Sequence, residues 1–245
     1  MPLLLLLLGA GAVVLSHLAP FPLLLDVTER TVWRMPHAPD DEVVYLTYDD
    51  GPNPAATPAL LDVLAAAEVP ATFFVIDRHL TADTAPIVAR MFDEGHAVAL
   101  HSHTRRKMFM RPPALAATLQ QAADRIEQLG GRRPCRAFRP HGGGRSGEML
   151  AGLERIDYTL VGWTFRLWDW DWFRRPDPER LARRLARRIS PGAIVVIHDG
   201  HHENPRADRQ YAVRATALLV PQLRERGFRF GTICGADGRV VAAGK

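Results

Sequence analysis

From Glu42 to Ile233 the chain alternates short apolar, β-branched runs with longer segments whose apolar residues recur every three or four positions. No other feature narrows the fold as far. Strand-like runs lie at 43–48, 71–76, 97–100, 136–139, 158–163, 193–197 and 228–233. Helix-like stretches at 58–67, 84–94, 115–126, 147–156, 178–189 and 211–226 fall between them. In the third of these, Leu115, Leu119, Ala122, Ala123 and Ile126 share one face. Asp177-Pro178 offers an N-cap and a first-turn proline, and Gly227 a stop. Strands joined through helices pair in parallel, because a crossover that holds a helix brings the chain back in the same direction. Roughly seven such units either curl into a barrel or stay doubly wound. With 245 residues, 47% hydrophobic and 24% charged, the chain is long and apolar enough to bury one such core.

The chemistry-bearing residues follow the strands. Asp49 and Asp50 come after the first, between an apolar run and Gly51-Pro52. His101-Ser102-His103-Thr104-Arg105 follows the third, and Arg139-Pro140-His141-Gly142-Gly143-Gly144 the fourth. Asp169-Trp170-Asp171-Trp172 comes after the fifth and His198-Asp199 after the sixth. In a parallel α/β fold all these positions gather at one face, where such folds place their ligands. Each cluster alone has a plainer explanation: Asp-Asp-Gly-Pro as a turn or cap, His-x-His as surface residues, glycines as a bend. Together they outline a site.

Two adjacent carboxylates at a strand end repel each other, so a cation is expected beside them: a metal ion, an arginine or a protonated histidine. His101 and His103, two apart, point the same way in extended backbone, as metal ligands would. Arg139 is placed to pair with a carboxylate, and the glycines after it leave backbone amides for an oxyanion. The tryptophans around Trp170 and Trp172 suit walls on which a sugar stacks. His198 leaves a fully apolar strand as a candidate general acid.

Outside this region the signals are coarser. Residues 1–25 carry an apolar run, expected to be an export signal or a membrane anchor, with 26–41 as a linker and 237–245 as a tail. The chain is thus expected outside the cytoplasm, exported or anchored, and monomeric. Its net charge of +4 comes almost wholly from arginines, since Lys107 and Lys245 are the only lysines. Those arginines are scattered over several helices, which favours solvated helix faces over a nucleic-acid partner. Cys135 and Cys234 permit one disulfide in an exported chain; two small buried hydrophobes are the simpler expectation.

With these residues in view, the region 42–236 resembles the polysaccharide deacetylase family, the NodB-homology or carbohydrate esterase family 4 domain. Thr47-Tyr48-Asp49-Asp50-Gly51-Pro52 looks like its first motif, and Gly95-His96 leading to His101-Ser102 looks like its second. Arg139 to Gly143 approximates the third, Asp169-Trp170 the fourth, and Val196-Ile197-His198-Asp199 the fifth. The resemblance implies a distorted (β/α)7, TIM-like barrel and a divalent metal, usually zinc. It implies removal of acetyl groups from an N-acetylated glycan or chito-oligosaccharide. Asp49 is then the general base, Asp50 and His101 metal ligands, Arg139 the support of the base, and Asp169 the tuner of the acid His198. Gly142, Gly143, Trp170 and Trp172 line the glycan.

The chain departs from that pattern where the second metal histidine is due, four residues after the first. Arg105 stands there, and a guanidinium cannot ligate a cation. His103 is taken as the replacement; His141, His201 or His202 reaching in, two protein ligands with water, or no metal at all are the alternatives. The same departure leaves room for a catalytically impaired glycan-binding protein of this fold, or for a related hydrolase of small amides.

Overall fold

The computed structural model describes residues 31–166 and 177–241, with Gly9 and Gly11 as isolated positions. The strands are β1 (Thr31–Val32), β2 (Val43–Gly51), β3 (Thr72–Ile76), β4 (Ala97–His101), β5 (Ala137–Arg139), β6 (Thr159–Val161), β7 (Phe165–Arg166), β8 (Ile194–His198) and β9 (Arg229–Phe230). Among them run α1 (Thr57–Ala66), α2 (Ala85–Asp93), α3 (Pro112–Gly130), α4 (Gly147–Glu154), α5 (Pro178–Ala186) and α6 (Gln210–Glu225). The sheet order is β1-β6-β5-β4-β3-β2-β8-β7, with β9 also on β2. Every pairing is parallel. Of the two architectures the alternation left open, this is the curled, barrel-like α/β one that the family resemblance implied.

Strand parity divides the core into two layers. Val44, Leu46 and Tyr48 of β2 pack with Phe73 and Val75, Val98 and Leu100, Phe138, and Val195 and Ile197 under the helices. Tyr45 packs with Phe74, Ala99, Ala137, Val161 and Ile194 inside the curl. Successive side chains of a strand point to opposite faces, so each strand feeds both layers, and that is why the runs are continuously apolar. Fully burying one of these larger side chains stabilises the fold by about 1.5–3 kcal/mol. The layer inside the curl reaches the C-terminal strand ends at Asp49, His101, Arg139 and His198, each two or four residues beyond an inner apolar position.

The expected caps form. Asp177 accepts the Arg180 N–H at 3.1 Å, and Gly227, at φ 84°, follows α6. Two boundaries differ from expectation. The stretch expected as a linker contributes β1, paired with β6, and buries Met35. The stretch expected as a tail returns to the domain: the Gly238 carbonyl accepts the Arg136 N–H at 2.8 Å, and Val240 bridges Cys234. That return brings the start of β5 next to the C-terminal segment, and Cys135 is joined to Cys234 across a separation of 99 residues. The simpler expectation of two unlinked cysteines is corrected accordingly. The apolar N-terminal run lies outside the described residues, and among the described residues no helix is long and apolar enough to cross a membrane.

Candidate active site

Asp49 and His198 are register partners on β2 and β8, and His101 and Arg139 on β4 and β5. The sheet therefore sets these four side chains around one mouth. Arg139 is fully buried. Its Nη1 donates to Asp49 Oδ1 at 2.6 Å and to Thr47 Oγ1 at 2.7 Å, and its Nη2 to the Gly162 carbonyl at 2.9 Å. Phe74 lies under the guanidinium, 3.9 Å from its ring centre. A buried arginine without partners would be costly, but here charge, hydrogen bonds and the ring face offset the loss of water. The result holds one oxygen of Asp49 fixed and leaves Oδ2 facing the mouth, 4.0 Å from His101 Nε2.

Asp50 reaches the same mouth by breaking the strand. In regular alternation it would point away from Asp49. Instead its φ is 70°, and the β2–β3 register shifts between Asp49 and Gly51, the mark of a bulge. Gly200 makes room for the bulge: a Cβ there would stand 1.9 Å from the Asp50 carbonyl oxygen. Asp50 Oδ1 then lies 3.4 Å from His101 Nε2. His101 Nδ1 is 2.8 Å from the Arg139 carbonyl, which can only accept, so Nδ1 carries a proton and Nε2 is the ring atom turned to an ion. Asp50 Oδ1 is buried without a hydrogen-bond partner. Two lone-pair donors thus face each other across a space suited to a cation.

His141 supplies the third donor. One ligand atom each from Asp50, His101 and His141 lies within 4.8 Å of the others. Burial, together with the nearby His101, presses the His141 imidazole down to about 4, so it is a neutral donor at ordinary pH. Burial alone would raise the Asp50 carboxyl, but at the acid pH where it takes up a proton the surrounding histidines are charged, and His101, with His198 and His141 beyond it, holds it below the usual carboxylate range. One carboxylate oxygen and two imidazole nitrogens form a borderline donor set of the kind zinc takes, leaving a position open for a reactant. The donors present fit a divalent ion.

His103, the expected third ligand, is not in this group. Strand β4 ends at His101, so the extended geometry that would align the two rings does not continue. His103 sits instead where Arg78, Lys107 and His79 act on it. Asp169, Trp170 and Trp172 lie outside the described residues. Gly142 and Gly143 form a turn beside His141, at φ 60° and 74°, conformations that favour glycine. Other contributors escaped the sequence reading. Ser102 Oγ accepts the His141 N–H at 2.9 Å. His79 Nδ1 reaches the Asp50 carbonyl at 3.1 Å. Asp199 lies behind the pair, bonded to Thr57; burial, with the Asp50 and Asp49 charges, raises it to about 7. Asp199 itself was marked in the sequence as the carboxylate beside His198; its bond to Thr57 was not foreseen.

A family model described as polysaccharide deacetylase matches residues 37–161. The chain is 38% identical over 192 residues to a chitooligosaccharide deacetylase of Bradyrhizobium sp. (strain ANU 289), covering 76% of this chain and 86% of the relative. It is 27% identical to a peptidoglycan-N-acetylglucosamine deacetylase of Bacillus cereus, over 85% of this chain and 93% of that protein. A crystal structure of a peptidoglycan N-acetylglucosamine deacetylase superposes with a TM-score of 0.70 at 25% identity, covering 83% of this chain and 90% of that one.

Proposed function

The chain belongs to the polysaccharide deacetylase family, and from that premise we propose that it is a metal-dependent hydrolase removing acetyl groups from an N-acetylated glycan or chito-oligosaccharide. The observation that carries this reading is the pair of facing lone-pair donors, Asp50 Oδ1 and His101 Nε2, joined by His141 and set beside a carboxylate clamped by Arg139. In this reading Asp50, His101 and His141 hold the divalent ion, with zinc suited to the donor set. Bound there, such an ion polarises the acetyl carbonyl and makes water a stronger acid.

The chain's own residues divide the remaining work. Asp49, with Oδ1 engaged by Arg139, accepts the proton of the attacking water on Oδ2. His198, across the mouth on the neighbouring strand, gives a proton to the leaving amine nitrogen. General acid–base catalysis of this kind contributes typically 10²–10⁴-fold each way. On the turn, the Gly142 amide is left to orient the carbonyl oxygen as charge gathers on it; the Gly143 N–H, expected from the sequence to share that role, is taken by the Pro140 carbonyl at 3.1 Å. Asp169 tunes His198, as the family resemblance implies, and Trp170 and Trp172 stack on the sugar, as their aromatic clustering in the sequence suggests.

Export or anchoring through residues 1–25 belongs to the same reading. The Cys135–Cys234 bridge supports it, since disulfides persist in oxidising compartments. The test joins elemental analysis of the purified chain with acetate release from an acetylated chito-oligosaccharide. Stoichiometric zinc and metal-dependent acetate release are expected. A chain that carries no metal and frees no acetate in added zinc is instead a glycan-binding protein of this fold.

A further inference from the structure

Arg105 stands on the loop after β4, opening the 3-10 turn Arg105–Phe109. Its side chain runs along the neighbouring loop. A Cβ placed on Gly142 would stand 2.8 Å from Arg105 Nη2, 3.2 Å from Nε and 3.4 Å from Cζ. One placed on Gly144 would lie 3.5 Å from Cγ and 3.7 Å from Cδ of the same arginine. The guanidinium therefore covers the backbone directly after His141, and the stem covers the end of that turn. Among the described residues no ion pair with a carboxylate is seen for Arg105, and its nearest approach is to the turn. A second contact from the same loop acts one residue earlier, where Ser102 Oγ takes the His141 N–H at 2.9 Å.

The turn needs bracing. Gly142 and Gly143 both lie at positive φ, open to glycine at little cost, and the turn's own bonds flank Gly142: Gly143 N–H to the Pro140 carbonyl at 3.1 Å, Gly144 N–H to the His141 carbonyl at 3.3 Å, and Arg145 Nη1 to the Gly143 carbonyl at 3.2 Å, so the packing of Arg105 on Gly142 adds a brace where the side-chain-free backbone has the most freedom. An imidazole delivered from such a turn would lose affinity for an ion through the entropy of ordering it. We propose that Arg105 is a positioning residue for His141: packed on Gly142, it holds the turn so that the His141 ring meets Asp50 and His101. The chain thus has a cation beside the site at a position from which no ligand is possible, and that cation secures the ligand on the adjacent loop. This inference rests on the metal-dependent reading above.

The experiment measures zinc affinity of the full chain by competition with a chromophoric chelator. The variants are His141→Ala, Arg105→Ala, Arg105→Lys, Gly142→Ala and the double variant Arg105→Ala/His141→Ala, with circular dichroism to establish folding. Arg105→Ala should weaken zinc about 10–100-fold, the usual cost of losing a residue that orients a ligand. Arg105→Lys, which keeps the stem and the charge, should recover part of that. Gly142→Ala should weaken zinc at least as much as Arg105→Ala, since its methyl group both strains a turn at φ 60° and meets the guanidinium, and adding Arg105→Ala to it should relieve part of that loss. In the His141→Ala protein, already weakened, Arg105→Ala should cost nothing more; a purely structural arginine would still cost there. Unchanged affinity in Arg105→Ala, or an equal loss with and without His141, overturns the positioning role while leaving the ligand set standing. Unchanged affinity in His141→Ala overturns the ligand set itself, and this inference with it.

Discussion

At the scale of single residues, two neighbouring aspartates are held differently because the backbone between them is bent. Asp49 is inward by strand parity and clamped through Oδ1 by a buried arginine. Asp50 is turned inward by its left-handed φ, and its Oδ1 is left for an ion. Asp49→Asn keeps the shape and the Arg139 contact but cannot take a proton, so acetate release should fall about 10²–10⁴-fold with zinc affinity nearly intact. Steady-state rates with parallel zinc titrations check this, and an unchanged rate removes Asp49 from the role of base. A swap tests the origin of the third ligand. In the His141→Ala protein, Arg105→His puts an imidazole four residues after His101, where the family pattern expects one. Chelator competition should show zinc affinity regained; no regain means that the loop after β4 cannot present a ligand in this chain.

At the scale of elements, the bulge at the end of β2 is held by the residue after Asp199. Gly200 N–H bonds the Asp49 carbonyl at 3.3 Å, and a methyl group on Gly200 would collide with the Asp50 carbonyl. Gly200→Ala should destabilise the domain by about 1–3 kcal/mol and weaken zinc as the bulge shifts. Urea unfolding and zinc titration measure both, and native values for both would show that the bulge is not held there. A second element-level effect lies before β4. His96 Nδ1 accepts the Ala71 N–H at 3.1 Å, and burial presses its imidazole down to about 4. Unfolded, the ring titrates near about 6.5. Between those values the unfolded chain binds more protons, so this stability is complete above the unfolded value and fades as pH falls toward the folded one, by about 3 kcal/mol in all. Urea unfolding at neutral and mildly acidic pH should show a shallower pH dependence in His96→Gln than in the native chain; equal slopes contradict it. Strands and helices of this size were legible from their periodicity. β1 and β7 were not, since two residues display no alternation. His103 was misplaced for a related reason: alternation was carried past the last residue of β4.

At the scale of the whole molecule, the site exists because a parallel curled sheet delivers four inner-facing strand ends to one mouth, a consequence of topology that alternation alone foretold. The positions of Asp49, His101, Arg139 and His198 at that mouth were legible in this way, whereas Asp50 reaches it through a bulge that alternation does not foretell. His141 as a ligand was open among several histidines, since its place depends on a glycine turn and on its packing against another loop, which no local pattern encodes. The covalent closure between Cys135 and Cys234 spans most of the sheet's β5-to-β9 half. Replacing both with serine should lower stability by about 2–4 kcal/mol, and reductant should do the same to the native chain. Coincident denaturation curves for the oxidised native chain and the serine variant would show that the bridge adds nothing. The central claim, one ion held by two strand ends and the turn after a third, is met most directly by X-ray absorption at the zinc edge on the zinc-loaded full chain. Two imidazoles with oxygen ligands and no sulfur are predicted, falling to one imidazole in His141→Ala. Two imidazoles persisting in His141→Ala, or one lost in His103→Ala instead, would contradict it.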